Sequence, residues 1–118
     1  MAEKKRLERL AQQLRTELGA LVESEMDDPR VAMVAVTHVR VSPDMRYARV
    51  YVSTSGGDGD PKTVLEGLDS AKGFLRGQLS HRLPHLKRTP ELTFDYDDSV
   101  EKEMRIEELL AQINSEEQ

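Results

Sequence analysis

A basic stretch without acidic residues lies between Asp69 and Glu91, although the whole chain has 22 acidic and only 17 basic residues. Its lysine, arginine and histidine residues are Lys72, Arg76, Arg82, Lys87, Arg88, His81 and His85. Ammonium and guanidinium groups donate to phosphate oxygens, and arginine can bridge two of them. A basic cluster of this kind predicts a polyanion such as RNA as its ligand.

These bases are expected to lie on two helices joined by a bend. Asp60 is suited to cap a helix and Pro61 to be its first residue. After them, apolar residues recur at helical spacing: Val64, Leu65, Leu68, Ala71, Leu75 and Leu79. Gly73 interrupts this run, because glycine is about 1 kcal/mol less favourable than alanine inside a helix. We therefore expect a bend at Ala71-Lys72-Gly73, and a helix N-terminus just after Gly73 that suits a phosphate oxygen. Lys72 and Arg76 would point the same way on a helix.

An ordinary solvated basic face is the alternative to an RNA-binding surface, because lysine and arginine are common on protein surfaces. The bases near the N-terminus either extend the binding surface or only raise solubility; they are Lys4, Lys5, Arg6 and Arg9. His81 and His85 have the spacing of metal ligands on one side of a helix. Pro84 interrupts the helix between them and no third ligand is evident, so we expect no metal site.

Acidic residues near the end of a predicted strand are candidates for Mg²⁺-dependent phosphodiester cleavage. The carboxylates of Asp95, Asp97 and Asp98 are ligands that this ion prefers. However, strand alternation places Asp95 on the side opposite Leu92 and Phe94, and Asp98 is explained as a helix cap. We therefore expect no catalytic residue and no cofactor, and a small nuclease is kept only as an alternative.

The composition indicates a single domain, residues 1–118, that is stabilised by packing alone. Its 118 residues are enough for one core, and the absence of cysteine excludes disulfides, thiol catalysis and cysteine-based zinc sites. No apolar run approaches the roughly 18 residues of a membrane span, and no signal-peptide pattern is present at the N-terminus. A cytoplasmic protein without membrane contact is expected.

The net charge of −5 is concentrated at the C-terminal end. Residues 97–118 contain eight acids and two bases, whereas residues 1–96 contain 14 acids and 15 bases. The body of the domain can therefore present a positive face. An acidic C-terminal helix over 97–118, or an exposed sheet edge, also gives a second hypothesis, a protein-binding adaptor.

Hydrophobic spacing predicts the remaining elements. In order they are a helix over about 4–26, strands over 31–41 and 47–53 around a turn at 42–45, the bent helical pair from 61 to 83, a strand over 92–96, and a last helix capped by Asp98 or Ser99, with Ile106, Leu109, Leu110 and Ile113 on one side. Apolar parity changes between Val36 and Val39, which indicates a bulge or a strand covered on both sides. Tyr47 and Tyr51 share one strand side, where they either stack bases or are partly buried under helices.

Four segments in this order resemble the ribosome-binding factor A family over about Arg9 to Leu110. They are Asp28-Pro29-Arg30; residues 39–44 (VRVSPD) with 48–52 (ARVYV); residues 71–76 (AKGFLR); and residues 90–94 (PELTF) with Asp97-Asp98-Ser99. The resemblance implies an α+β fold of the type II KH-like kind, α-β-β-α-kink-α-β with a C-terminal helix. In that fold a three-stranded mixed sheet is covered by helices.

The resemblance also implies a function and a site. It implies binding to the small (30S) ribosomal subunit and its 16S rRNA, assistance in late subunit maturation including 16S rRNA 5′-end processing, and a role in growth at low temperature. A monomer is expected, with GTPase assembly factors as further partners. RNA-binding residues are expected in and after the Ala-x-Gly bend of the family: Ala71, Lys72, Gly73, Arg76, Arg82, Lys87 and Arg88.

RNA-binding KH domains hold the nucleic-acid backbone with a GxxG loop between two helices. Gly56-Gly57-Asp58-Gly59 matches this pattern by coincidence, because it lies between a strand and a helix and Asp58 would repel phosphate. With one glycine fewer in the Ala71-Lys72-Gly73 bend, we expect recognition of RNA shape and backbone rather than of a base sequence.

Overall fold

The computed structural model describes residues 2–54 and 60–117, apart from the side-chain environments of residues 2, 100–104 and 115–117. In chain order the elements are α1 (Ala2–Ser24), a 3₁₀ turn (Pro29–Val31), β1 (Val34–Val41), β2 (Tyr47–Thr54), α2 (Pro61–Ser70), α3 (Lys72–Arg82), β3 (Glu91–Tyr96) and α4 (Ser99–Glu117). The predicted order of helices and strands is confirmed. The loop with the literal GxxG pattern, residues 56–59, lies outside the described residues.

The three strands form one mixed sheet in the order β1-β2-β3. β1 and β2 form an antiparallel hairpin, and β3 runs parallel to β2. The register of β1 shifts between Val36 and His38, which confirms the predicted bulge. Thr37, at the bulge, donates a hydrogen bond of 2.8 Å to Oδ2 of Asp97, so the bulge also ties β1 to the segment after β3.

The core lies on one face of this sheet. Along β2 the inward residues Ala48, Val50 and Val52 are fully buried, whereas Tyr47 and Arg49 between them are exposed. α1 packs on β1, and α2 and α3 pack on β3. The helices contribute the largest buried leucines: Leu14, Leu18, Leu21, Leu68, Leu75 and Leu79. The alternation therefore leaves the opposite face of the sheet open.

Two boundaries of the first half differ from the prediction. α1 ends at Ser24 rather than near residue 26, and β1 begins at Val34 rather than at residue 31. The carboxylate of Asp28 accepts from the backbone N–H of Arg30 at 2.9 Å and caps the 3₁₀ turn that Pro29 starts. Val31 is thus buried in the core from a turn, not from a strand.

The break between α2 and α3 lies at Ala71 (φ −96°, ψ 2°), inside the predicted bend. α3 already begins at Lys72, so the expected helix N-terminus after Gly73 is wrong. Gly73 lies within the first turn of α3, so the break precedes the glycine rather than falling on it. The predicted cap of α2 is confirmed, since Asp60 accepts from the N–H of Lys62 at 3.3 Å.

α4 extends the molecule rather than covering the core. Its predicted apolar stripe is exposed, with Ile106, Leu109, Leu110 and Ile113 each 50–56% accessible. At its start Oδ1 of Asp97 accepts from the N–H of Ser99 at 3.0 Å. The radius of gyration is 17.0 Å and the longest dimension 61 Å, whereas a compact domain of this length has a radius near ~13.5 Å.

Candidate nucleic-acid interface

Arg76 is held inside the fold by two backbone carbonyls. Its Nε donates to the carbonyl oxygen of Pro90 at 3.1 Å, and its Nη2 donates to that of Thr89 at 2.9 Å. The side chain is half-buried, and Pro90 is fully buried. Two of the guanidinium donors therefore fasten α3 to the segment that leads into β3 and are not available to a ligand.

Arg82 is paired with acids of α1 and of the segment that follows it. Its Nη1 lies 3.3 Å from Oε2 of Glu17, and its Nη2 lies 3.8 Å from Oε1 of Glu25. Arg82 is the last residue of α3, where a cation also interacts favourably with the helix dipole. Two carboxylates thus offset the positive charge of Arg82, although no acidic residue is near it in the sequence.

Lys72, at the bend, is also paired. Its Nζ lies 3.1 Å from Oδ1 of Asp69, one turn earlier, and both side chains are partly exposed. Ala71 is half-buried, and Gly73 is exposed. The N-terminus of α3 has no side-chain cap. The bend thus presents backbone and one paired lysine, and the continuous cationic side expected from the helix periodicity is interrupted.

Lys87 and Arg88 belong to a different set of bases. Both are exposed and, among the residues that the structure describes, neither takes part in an ion pair. They line a groove of about 590 Å³ together with Arg6 and Arg9 of α1 and Arg46 of the β1–β2 turn. We call these five residues the basic groove. It is assembled from three segments that are distant in sequence.

The electrostatics of the basic groove are dominated by its five cations. The acid that lines it is Asp44. Its carboxylate accepts from the hydroxyl of Ser42 at 2.6 Å and from the N–H of Arg46 at 3.0 Å, and these bonds lower its pKa. Asp44 is therefore ionised at neutral pH, and its charge offsets that of one base. Four positive charges remain to attract an anion.

A smaller cavity of about 250 Å³ adjoins the basic groove. Arg46 and Arg88 line both, and the second is completed by Tyr47, Arg76, Thr89 and Glu91. Arg76 therefore faces the same side of the molecule as the groove, although its Nε and Nη2 are bonded to carbonyls. Of the seven predicted site residues, the structure places Arg76, Lys87 and Arg88 along these two cavities. It places Ala71, Lys72, Gly73 and Arg82 outside their lining.

Arg46 was missed by the sequence analysis, and Arg6 and Arg9 had been named only as an extension of the surface. A single arginine after a turn carries no periodic signal. Arg6 and Arg9 are three residues apart, a spacing that places both on one side of α1 and that could have indicated a shared surface. What the sequence did not reveal is that this side of α1 meets the loop before β3.

The acidic residues near β3 are engaged in structural contacts. Oδ2 of Asp95 lies 3.2 Å from Nε of Arg49, and Asp97 accepts from Thr37 and from the N–H of Ser99. Its hydrogen bonds with Ser99 and then with Thr37 lower the pKa of Asp97. Within residues 2–54 and 60–117, no group of three or more histidine, cysteine or acidic residues is placed to hold a metal ion.

Over the part of the chain that the structure describes, no helix is both long enough and apolar enough to cross a membrane.

Comparisons with known proteins place the chain among ribosome-binding factors. The family model described as ribosome-binding factor A matches residues 6–110, close to the predicted extent. Ribosome-binding factor A of Thiobacillus denitrificans is 47% identical over 105 residues, which are 89% of this chain and 84% of that protein.

Solved structures agree with this match. The crystal structure of ribosome-binding factor A from Thermus thermophilus is similar with a TM-score of 0.70 and 28% identity, over 76% of this chain and 93% of that one. The solution structure of a Thermotoga maritima homologue, described as a putative ribosome binding factor A, has a TM-score of 0.66 and 34% identity, over 75% of this chain and 84% of that one. A Thermus thermophilus model fitted into the cryo-EM map of a 30S–RbfA complex has a TM-score of 0.63 and 27% identity, over 75% of this chain and 91% of that one.

Proposed function

Because the chain belongs to the ribosome-binding factor A family, we propose that it binds the small ribosomal subunit through 16S rRNA. The similar Thermus thermophilus protein that was fitted into a 30S complex supports this partner. The protein then assists late maturation of the subunit, including processing of the 16S rRNA 5′ end. It works in the cytoplasm, as a monomer with a type II KH-like domain, and supports growth at low temperature.

The observation that carries the proposal is the basic groove. Lysine and arginine from α1, the β1–β2 turn and the loop before β3 line one concave surface. Cations spread over a groove match the charge and shape of a phosphate backbone, and contacts with phosphate carry no base sequence. The protein therefore recognises rRNA by its shape and backbone, as the sequence led us to expect. It holds a local RNA conformation and leaves cleavage to separate nucleases and removal to GTPase assembly factors.

The test compares two charge-matched double variants in binding to isolated small subunits at several salt concentrations. Lys87→Ala with Arg88→Ala removes two groove cations. Lys62→Ala with Arg105→Ala removes two exposed bases, one near the start of α2 and one on α4, neither of which lines the groove. The groove variant should bind more weakly and reduce the slope of log K against log salt by about two, roughly one for each lost phosphate contact. The control should bind as the parent does.

Equal affinities and equal salt slopes for the two double variants would contradict the proposed surface. A protein-binding adaptor is the second candidate, favoured by the exposed apolar residues and acidic charge of α4. Deletion of residues 99–118 separates the two functions, because the RNA proposal requires that subunit binding is retained and the adaptor requires that it is lost.

A further inference from the structure

The open face of the sheet carries aromatic and basic side chains in adjacent rows. On the central strand β2, Tyr47, Arg49 and Tyr51 point away from the core, as the burial alternation shows. By register, Arg49 lies opposite Arg40 of β1 and Tyr51 lies opposite His38. Among the described residues of this face, His38, Arg40, Tyr47 and Arg49 are exposed to solvent and Tyr51 is half-buried.

The aromatic groups on this face are available for stacking. Tyr47 is 52% exposed, which differs from the partial burial expected for a strand under helices. The rings of His38 and Tyr51 lie 5.8 Å apart and are tilted by 38°, so they form one joined aromatic surface. Tyrosine is common in strands whether or not they bind a ligand. The rings alone therefore do not identify a ligand.

The charges on the face are divided: the acids Glu91 and Asp95 lie on β3 opposite Tyr47 and Tyr51, and the arginines on β1 and β2 offer a place for an anion. Arg40 and Arg49 are directly opposite each other on neighbouring strands, an arrangement of like charges that is destabilising. Asp95 pairs with Arg49 at 3.2 Å, yet Arg49 stays 60% exposed. Arg40 is exposed and has no ion-pair partner within the described part of the chain. An anion bound above the sheet would relieve the repulsion between the two arginines. A nucleotide would do so with its phosphate and would also cover the rings with its flat base.

We propose that this open sheet face is a second RNA site, which stacks unpaired nucleotides on Tyr47 and on the His38–Tyr51 pair while Arg40 and Arg49 bind their phosphates. Aromatic platforms next to cations are the usual way to bind a single strand without reading its sequence. The face is continuous with the basic groove, because Tyr47 lines the small cavity together with Arg46 and Arg88. A single strand that leaves the groove meets Tyr47 first.

The inference rests on the proposed function only in taking RNA as the ligand. It is tested with the full chain and a fluorescent oligouridylate of about eight nucleotides, a length within the site size of single-strand binders. Binding is followed by anisotropy. Tyr47→Ala should weaken it between about 5-fold and 150-fold, the loss of one stacking contact. Tyr47→Phe keeps the ring and should stay within about twofold of the parent.

Two further variants define the face. Tyr51→Ala should also weaken oligouridylate binding, because it removes the second ring. Thr93→Ala is the matched control, since Thr93 lies opposite Arg49 on the same face, is exposed, and offers neither a ring nor a charge. It should bind as the parent does. Tyr47 and Thr93 are exposed and Tyr51 is half-buried, so circular dichroism of each variant checks that it folds.

Binding to small subunits, measured in parallel, separates failure of this inference from failure of the proposed function. If the parent binds subunits but not oligouridylate, the sheet site is overturned and the proposed function stands. If Tyr47→Ala binds oligouridylate like the parent, or Tyr47→Phe is as weak as Tyr47→Ala, stacking on this face is likewise overturned. If the parent binds neither RNA nor subunits, the proposed function itself fails.

Discussion

Two sets of bases in this molecule look alike in sequence and differ in structure. On α3 and at its start, Lys72, Arg76 and Arg82 are each held by an intramolecular partner: a carboxylate, two carbonyls and two carboxylates, respectively. In the basic groove, Lys87 and Arg88 have no ion pair among the described residues. A cation contributes to binding only what its intramolecular contacts leave free.

The difference teaches that one basic stretch can carry two roles. A base that satisfies buried backbone oxygens contributes to stability, because its removal leaves those oxygens unpaired. A base that faces open water contributes little to stability and is available for a phosphate. Variants on α3 should therefore change unfolding, whereas variants in the groove should change binding.

Arg76→Ala should give the largest change in stability. It removes the donors to the carbonyls of Thr89 and Pro90, and the free energy of unfolding should fall by about 1.5–3 kcal/mol, the range for hydrogen bonds that involve a charged group. Urea unfolding followed by circular dichroism measures this. Arg88→Ala is the control from the groove and should change it by less than about 0.5 kcal/mol. Equal losses in the two variants would remove the distinction between the two sets.

Asp97 is an acid that is held by intramolecular hydrogen bonds, as Arg76 is among the bases. Asp97→Asn should lower the free energy of unfolding by about 1 kcal/mol at neutral pH. The folded state lowers the pKa of Asp97 below its ordinary value of 3.8 through bonds with Ser99 and Thr37. Because the pKa is lower in the folded protein, the ionised carboxylate stabilises the fold when the pH is above the pKa of the unfolded chain. This contribution is lost as the pH falls through the pKa of the folded protein. The difference between parent and variant should therefore shrink below pH 3.8 in urea titrations. A gap for Asp97→Asn that does not depend on pH would refute the assignment.

Arg82→Ala should give the smallest effect. Its pairs with Glu17 and Glu25 are partly exposed, so solvent screens them and the free energy of unfolding should fall by only about 0.5 kcal/mol at low salt. A double-mutant cycle with Glu17→Ala isolates the pair, and its coupling energy should disappear in about 1 M salt. A coupling that persists at high salt would show that the pair acts through packing rather than charge.

The order of the elements could be predicted because it depends on local patterns. Apolar spacing located the helices, β-branched residues located the strands, and the parity change located the bulge near Thr37. Boundaries failed where one local contact decided the geometry. The capped turn at Asp28 replaced the predicted start of β1, and Ala71 rather than Gly73 carries the break before α3.

The site could be predicted only in part, because the two partners of an ion pair can be far apart in the sequence. The acids that neutralise Arg82 lie on α1 and just after it, and Glu17 is 65 residues away in sequence. An acid-free window describes chain neighbours and gives no information on such partners. In the same way, Arg46 joins Lys87 and Arg88 only through the packing of the hairpin turn against the loop before β3. Whether the predicted residues contact RNA stays a prediction.

α4 has a thermodynamic consequence of its own. Over its described side chains, residues 105–114, this helix of 19 residues leaves its apolar groups in water and gains little from the cooperative core, and isolated helices are only marginally stable. It can melt and reform while residues up to Tyr96 remain folded. Amide protons of α4 then exchange through local fraying, those of β2 through global opening. A single melting temperature therefore characterises the sheet and its three covering helices, and α4 obeys its own helix–coil equilibrium.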